Sequence, residues 1–177
     1  IAELALGYQG GRPALISMGA LSMGLTEEEL PDIVRRWRGS NRRIVGFWRA
    51  VEQYALDTVR HGTVGYMPCG IAFDRDEDYL SIILPGGRRL YYYKPEIRMD
   101  SRGRDAVHFR GVNQKTRKWE AISTYGGKLT ENIVQAVARD LLANSLMNLY
   151  RAGFVIDFHI HDEVILEVPE DSGRTLE

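Results

Sequence analysis

Between residues 42 and 60 the apolar positions Ile44, Phe47, Trp48, Val51, Ala55 and Val59 recur every three or four residues. That spacing predicts one helix with a single apolar stripe facing a core, ended by Gly62. Leu129, Ile133, Val137, Leu141, Leu142, Leu146 and Leu149 repeat the pattern and predict a second helix of about twenty residues, running to Gly153. Residues 1–6 read as a helix closed by Gly7, and "GYQGG" then supplies backbone freedom suited to a helix end. In "TEEELPDIVRRWRGSN" (26–41), Thr26 is expected as an N-cap with Glu29 as its capping-box partner. Pro31 lies early in this segment, so its firmest helical part is 31–38. No element is predicted in the small-residue stretch "ALISMGALSMGL" (14–25).

From 63 to 124 the period changes from helix to strand. "GIAF", "YLSIIL", "RRLYYY", "AVHFRGV" and "KWEAIST" are short strand-like runs separated by turn signals such as "RDED" and "PGG", and they predict two hairpins. After Gly153, "FVIDFHI" and "VILEV" predict a further hairpin with His161, Asp162 and Glu163 between its strands. The two carboxylates then stand at a turn, where no core has to bury them. Helices alternating with hairpins give an α+β fold class.

Composition adds boundaries to this picture. Cys69 is the only cysteine, so an internal disulfide is excluded and a reducing, cytoplasmic setting in a bacterial or phage-infected cell is expected. No apolar run reaches the ~18 residues of a membrane span, so no membrane partner is expected. The chain opens without Met inside helix-like sequence and is expected to be part of a longer one.

The net charge of −1 is unevenly spread. "RRWRGSNRR" (35–43) holds five arginines and no acid, 88–118 holds ten Lys or Arg against three acids, and the last 24 residues hold seven acids with Arg174 as the one base. Such separation suits a protein that grips a polyanion in one place and gathers divalent cations in another; solvation accounts equally well for Arg42, Arg43 and Arg102.

A carboxylate pair at a turn suits Mg²⁺, which takes one or two carboxylates together with water and phosphate oxygens, although Asp is also an ordinary turn residue. His159 and His161, if both lie on a strand, share a face and offer zinc an H-x-H pair with Asp162 or Glu163 as a further ligand. That leaves a zinc hydrolase as a second enzymatic reading.

Four separated blocks resemble, in order, family A DNA polymerases, especially those of bacteriophages and prophages. "IAELALGYQGG" is similar to the end of the second motif of that family, "GGRRLYYYKPEI" to the stretch after the fingers helices, "TENIVQAVARDLL" to the palm helix, and "HIHDEVILEVPED" to the third motif, a strand-turn-strand with His-Asp-Glu at its tip. The resemblance implies part of a right-hand polymerase fold, with residues 1–105 in the fingers, including an inserted β-hairpin, and 106–177 in the palm. The implied activity is Mg²⁺-dependent, template-directed addition of deoxynucleotides to a primer 3′ end.

Residue by residue, the resemblance implies that Asp162 binds Mg²⁺ as a catalytic carboxylate, that Glu163 supports the metal or the primer end, and that His161 stands near the primer terminus. Tyr8 matches a nucleotide-binding tyrosine and Gln135 a glutamine that reads minor-groove acceptors of primer-template DNA. Arg88, Arg89 and Lys128 are expected at the DNA. The chain also departs from the family: Leu4 replaces a frequent aromatic, Glu131 and Lys128 stand near positions usually held by Asn and Arg, and the triphosphate-binding Lys and Arg are absent. The second Mg²⁺ ligand set, the thumb and the rest of palm and fingers are expected on the remaining polymerase portion. The non-catalytic alternative is a DNA-binding or assembly subunit of a split polymerase.

Overall fold

The computed structural model describes residues 2–169 and 173. It is a mixture of helices and antiparallel sheets, as the α+β class requires. The chain divides into two compact units, Ile1–Ile133 and Val134–Glu177. This boundary is one of compactness, whereas the step expected at 105/106 is one of role between fingers and palm.

The first unit begins with four helices: α1 (Ala2–Leu6), α2 (Arg12–Ser17), α3 (Leu30–Ser40) and α4 (Arg42–His61), with a 3₁₀ turn at Leu21–Met23. Helix α2 lies where no element is expected. Its first turn contains Pro13, a position that tolerates proline because the N–H groups of that turn have no intrahelical acceptor. Its Leu15 is buried with Leu6, Leu30, Trp37 and Trp48 in one cluster. The two indoles stack with centroids 6.0 Å apart and planes 7° from parallel. Removing a buried ring of this size costs about 3–5 kcal/mol.

Thr26 does not cap α3, which starts four residues later at Leu30. Its backbone N–H and hydroxyl both donate to Glu29 Oε2, at 2.8 and 3.0 Å. The Glu half of the capping box therefore forms, in a turn that precedes the helix. Proline at the second helical position explains the late start, since the first turn is where it fits. Helix α4 matches its expected span and ends at Gly62, whose φ of 67° is a left-handed C-cap that other residues adopt at a cost.

The two hairpins expected between 63 and 124 are one six-stranded antiparallel meander: β1 (Gly65–Tyr66), β2 (Ala72–Arg75), β3 (Tyr79–Ile83), β4 (Arg89–Met99), β5 (Asp105–Val112) and β6 (Trp119–Ser123), paired in chain order. Strand β4 continues past Pro95 because the pairing shifts between Tyr93 and Glu96; a proline is tolerated at such a bulge, where no ladder N–H is needed. Helix α4 packs on the inner face of the sheet, with Val51, Ala55 and Val59 buried, as are Phe73, Leu80, Ile82 and Tyr92.

Helix α5 (Gly126–Arg151) starts in the first unit and supplies the start of the second. It is longer than expected at its N-terminal end, and of the expected stripe Leu129, Ile133 and Leu142 are buried whereas Leu141 is 64% exposed. After it, β7 (Val155–Ile160) and β8 (Glu163–Glu167) form a two-stranded sheet. No helix among the described residues is long and apolar enough to cross a membrane.

Candidate active site

In the second unit Ile160 pairs with Glu163, so the turn between β7 and β8 consists of His161 and Asp162 alone. The expected three-residue tip is thereby corrected: Glu163 is the first residue of β8. The tight turn is reached because His161 takes φ 51°, a conformation in which histidine is less disfavoured than most residues with a Cβ. Two-residue hairpin turns need such positive φ to match the twist of their strands, and glycine supplies it most readily. Here a histidine occupies that place.

His161, Asp162 and Glu163 are all exposed, and neither carboxylate makes a hydrogen bond or ion pair with another described residue. Two adjacent hard oxygen donors with open lone pairs fit Mg²⁺, which keeps much of its water and needs few protein carboxylates. No group of three His, Cys, Asp or Glu among the described residues is placed to hold an ion, so any complete ligand set requires further groups.

The H-x-H pair does not form as a strand pair. Strand β7 ends at Ile160, so His161 leaves the strand geometry that would put it on one face with His159. His159 instead meets Arg139, whose guanidinium nitrogens lie 3.3 and 3.5 Å from its ring nitrogens. Arg139 follows Gln135 by one helical turn on α5 and shares its face. Sequence reasoning did not single out this arginine, and only the packing of α5 beside β7 reveals it. Gln135 is exposed on α5.

Alternation is broken once in this hairpin. Ile156 pairs with Leu166 and Phe158 with Ile165, which leaves Asp157 as the extra residue of a bulge. The bulge restores phase, so that Val155, Phe158, Ile160 and Ile165 stand on one side and are 66, 54, 49 and 38% exposed.

The remaining expected site residues belong to the first unit. Tyr8 is half-buried in the turn after α1. Trp48 Nε1 donates to Gly7 O at 2.8 Å on one side of it, and the Gly127 N–H donates to Gln9 Oε1 at 2.7 Å on the other. A Cβ at Gly127 would lie 2.3 Å from Tyr8 O, so the second glycine of "YGGK" is required for this approach. A cleft of about 750 Å³ opens beside Gln9 and Gly10, lined also by Arg38, Arg49, Arg104 and Thr124. Arg38 donates to Gly10 O at 2.9 Å, while its Nε and the Thr124 hydroxyl are buried without a partner.

Arg88 lies exposed at the turn leading into β4. Arg89 pairs with Asp74 at 3.0 Å, and Lys128 with Glu131 at 2.9 Å within α5. In the arginine-rich segment Arg35 and Arg36 both pair with Asp32, and Arg42 Nε donates to Gly39 O at 3.2 Å, so part of that positive charge serves local structure.

No family model matches the chain, and no solved structure matches it. A curated protein does: the chain is 49% identical over 175 residues to a protein named DNA polymerase from Bacillus phage SP02. The match covers 98% of this chain, and the chain spans 27% of the length of that relative.

Proposed function

We propose that this chain is the fingers-and-palm portion of a family A DNA-dependent DNA polymerase, which adds deoxynucleotides to a primer 3′ end on a DNA template. The observation that carries the reading is the turn at Asp162, where a tight hairpin presents a carboxylate that supports no part of the fold. The 49% identity to a phage DNA polymerase points the same way.

Mg²⁺, when bound, would lower the pKa of the primer 3′ hydroxyl and neutralise phosphate charge. Asp162 and Glu163 are the groups of this chain that would hold it, with a second carboxylate set supplied by the remaining polymerase portion. Catalysis of this kind is positioning and electrostatics, and the fixed turn suits it because a two-residue loop leaves the Asp162 backbone little freedom. His161 orients the primer end beside it. Tyr8 offers a ring to the incoming dNTP from a turn anchored by Trp48 and Gly127. Gln135 donates to minor-groove acceptors, which occur in every base pair and so tolerate any sequence. Arg88, Arg89 and Lys128, together with the arginines of the cleft beside Gln9, offer positive charge to the DNA backbone.

The test is Asp162→Ala in the full-length protein. Primer extension is expected to disappear while primer-template DNA is still bound. Extension that survives the substitution overturns the reading.

A further inference from the structure

The outer face of the six-stranded sheet, opposite α4, carries a row of aromatic rings that the polymerase reading does not use. Across β3 and β4, Tyr79 pairs with Tyr93 and Ser81 with Tyr91; across β4 and β5, Tyr93 pairs with Arg110; across β5 and β6, Val112 pairs with Trp119. Cross-strand partners share a face and alternate residues return to it, so all of these side chains stand on the same side. The rings meet in the order Tyr91, Tyr79, Tyr93, Trp119, with successive centroids 5.6, 5.3 and 6.3 Å apart. Tyr91 and Trp119, at the two ends, are 60 and 61% exposed. Tyr79 and Tyr93 are half-buried between them.

The surroundings of this row are cationic. Arg89 and Lys94 form ion pairs with Asp74 and Asp78. Arg110 in the middle of the face, and Lys115, Arg117 and Lys118 in the turn that leads to Trp119, are exposed and make no ion pair among the described residues. The nearby Glu120 carboxylate forms no ion pair with them; it accepts from Asn113 Nδ2 at 2.5 Å and Thr116 Oγ1 at 2.9 Å. These contacts hold the turn and leave its cations pointing to solvent.

Planar groups joined by phosphates are the chemistry that such a surface recognises. We propose that the outer face binds single-stranded nucleic acid, with unpaired bases stacked on Trp119 and Tyr91 and the sugar-phosphate chain passing Arg110 and the Lys115, Arg117 and Lys118 turn. Stacking tolerates any base because every base has a π-face. A duplex keeps those faces turned to one another, so single strands are selected. Among the described residues no acid pairs with these cations, which favours a polyanion over an apolar protein surface. This inference rests on the sheet face alone and does not depend on the polymerase reading.

Trp37 and Trp48 are buried, so Trp119 is the indole that an added ligand can reach. Titration of the 177-residue chain with oligo-dT of about 12 nucleotides, within the usual range for such platforms, should quench tryptophan emission and weaken as salt rises. Trp119→Ala should abolish the quench, and anisotropy of labelled oligo-dT should show affinity falling about tenfold in Trp119→Ala and in Tyr91→Ala. Trp119→Phe should restore most of it. These positions are exposed, and a circular-dichroism melt matching the parent checks that each variant folds. Oligo-dT affinity unchanged in Trp119→Ala, equal binding of a duplex of the same length, or self-association that Tyr91→Ala removes with no oligo-dT binding, would each overturn the proposal. Asp162→Ala should leave the quench intact, so this proposal and the polymerase reading fail separately.

Discussion

Turns of both sheets carry short polar residues, and they use them differently. In the six-stranded sheet Asp76 Oδ1 accepts from the backbone N–H groups of Asp78 and Tyr79, and Asp100 Oδ1 from those of Arg102 and Arg104. Asn113 Oδ1 accepts from the Lys115 N–H at 2.9 Å. Each of these side chains builds its own turn, the common reason for Asp and Asn at such places. Asp162 builds nothing: its carboxylate has no partner among the described residues, and the turn is closed by strand pairing and the positive φ of His161. A turn carboxylate that is structurally idle is available to a ligand, whereas one already satisfied is not.

The contrast breaks most sharply in exchange experiments. Asp162→Ala in the full-length protein should lower extension by about 10²–10³-fold or more, the scale on which loss of a group stabilising transition-state charge acts. Its melting temperature should stay near that of the parent, since an exposed substitution of this kind changes stability by less than about 0.5 kcal/mol. Asp100→Ala should do the reverse, lowering the melting temperature with extension retained. If Asp162→Ala melts early, the carboxylate holds the turn after all.

Next in size is the backbone at His161. His161→Val should destabilise by about 1–2 kcal/mol, the cost of placing a branched side chain at left-handed φ. His161→Gly should melt at or above the parent temperature. Equal melting of the two variants in thermal denaturation would remove the argument from strain.

Asp100 gives a smaller, pH-dependent effect. The Arg104 backbone N–H, then the Arg104 side chain, hold its carboxyl down to about 2 from the ordinary 3.8. The folded value lies below the unfolded one, so its contribution is complete above 3.8 and is lost as pH falls through about 2. The difference in melting temperature between the parent and Asp100→Asn should therefore hold steady down to the ordinary carboxyl value and narrow below it. A gap that keeps its width throughout would mean that the hydrogen bonds contribute nothing specific to the ionised form.

The smallest effect belongs to Lys128. An exposed pair one helical turn apart contributes about 0.2–0.5 kcal/mol, so Lys128→Ala should barely move the melt. If Lys128 contacts a phosphate, the salt slope of DNA binding should lessen by about 0.9, and an unchanged slope would assign it to α5 alone.

What could be read in the sequence was whatever a local period encodes. The stripe from Ile44 to Val59 marked α4 almost to the residue, and the strand-like runs on either side of "HDE" marked the β7–β8 hairpin. Helix α2 escaped because Pro13 reads as a breaker unless it is known to lie in a first turn. Strand β4 was cut short at Tyr93 because Pro95 hides at a bulge. The joining of β4 to β5, which turns separate hairpins into one sheet, depends on packing over α4 that no local window contains. The same holds for the aromatic row: "YYY" is visible, but that Tyr91 and Tyr93 face outward with Tyr79 and Trp119 follows only from register. At the candidate site the carboxylates were legible, whereas Arg139 on His159 was not.

The Gly127 N–H and its acceptor on Gln9 are 118 residues apart in the chain. During synthesis at about 5–20 residues per second, the turn carrying Tyr8 emerges about 6 to 24 s before the glycine that completes its support. The turn carrying Tyr8 is therefore completed late, gaining the Gly127 hydrogen bond only after the whole large sheet has left the ribosome.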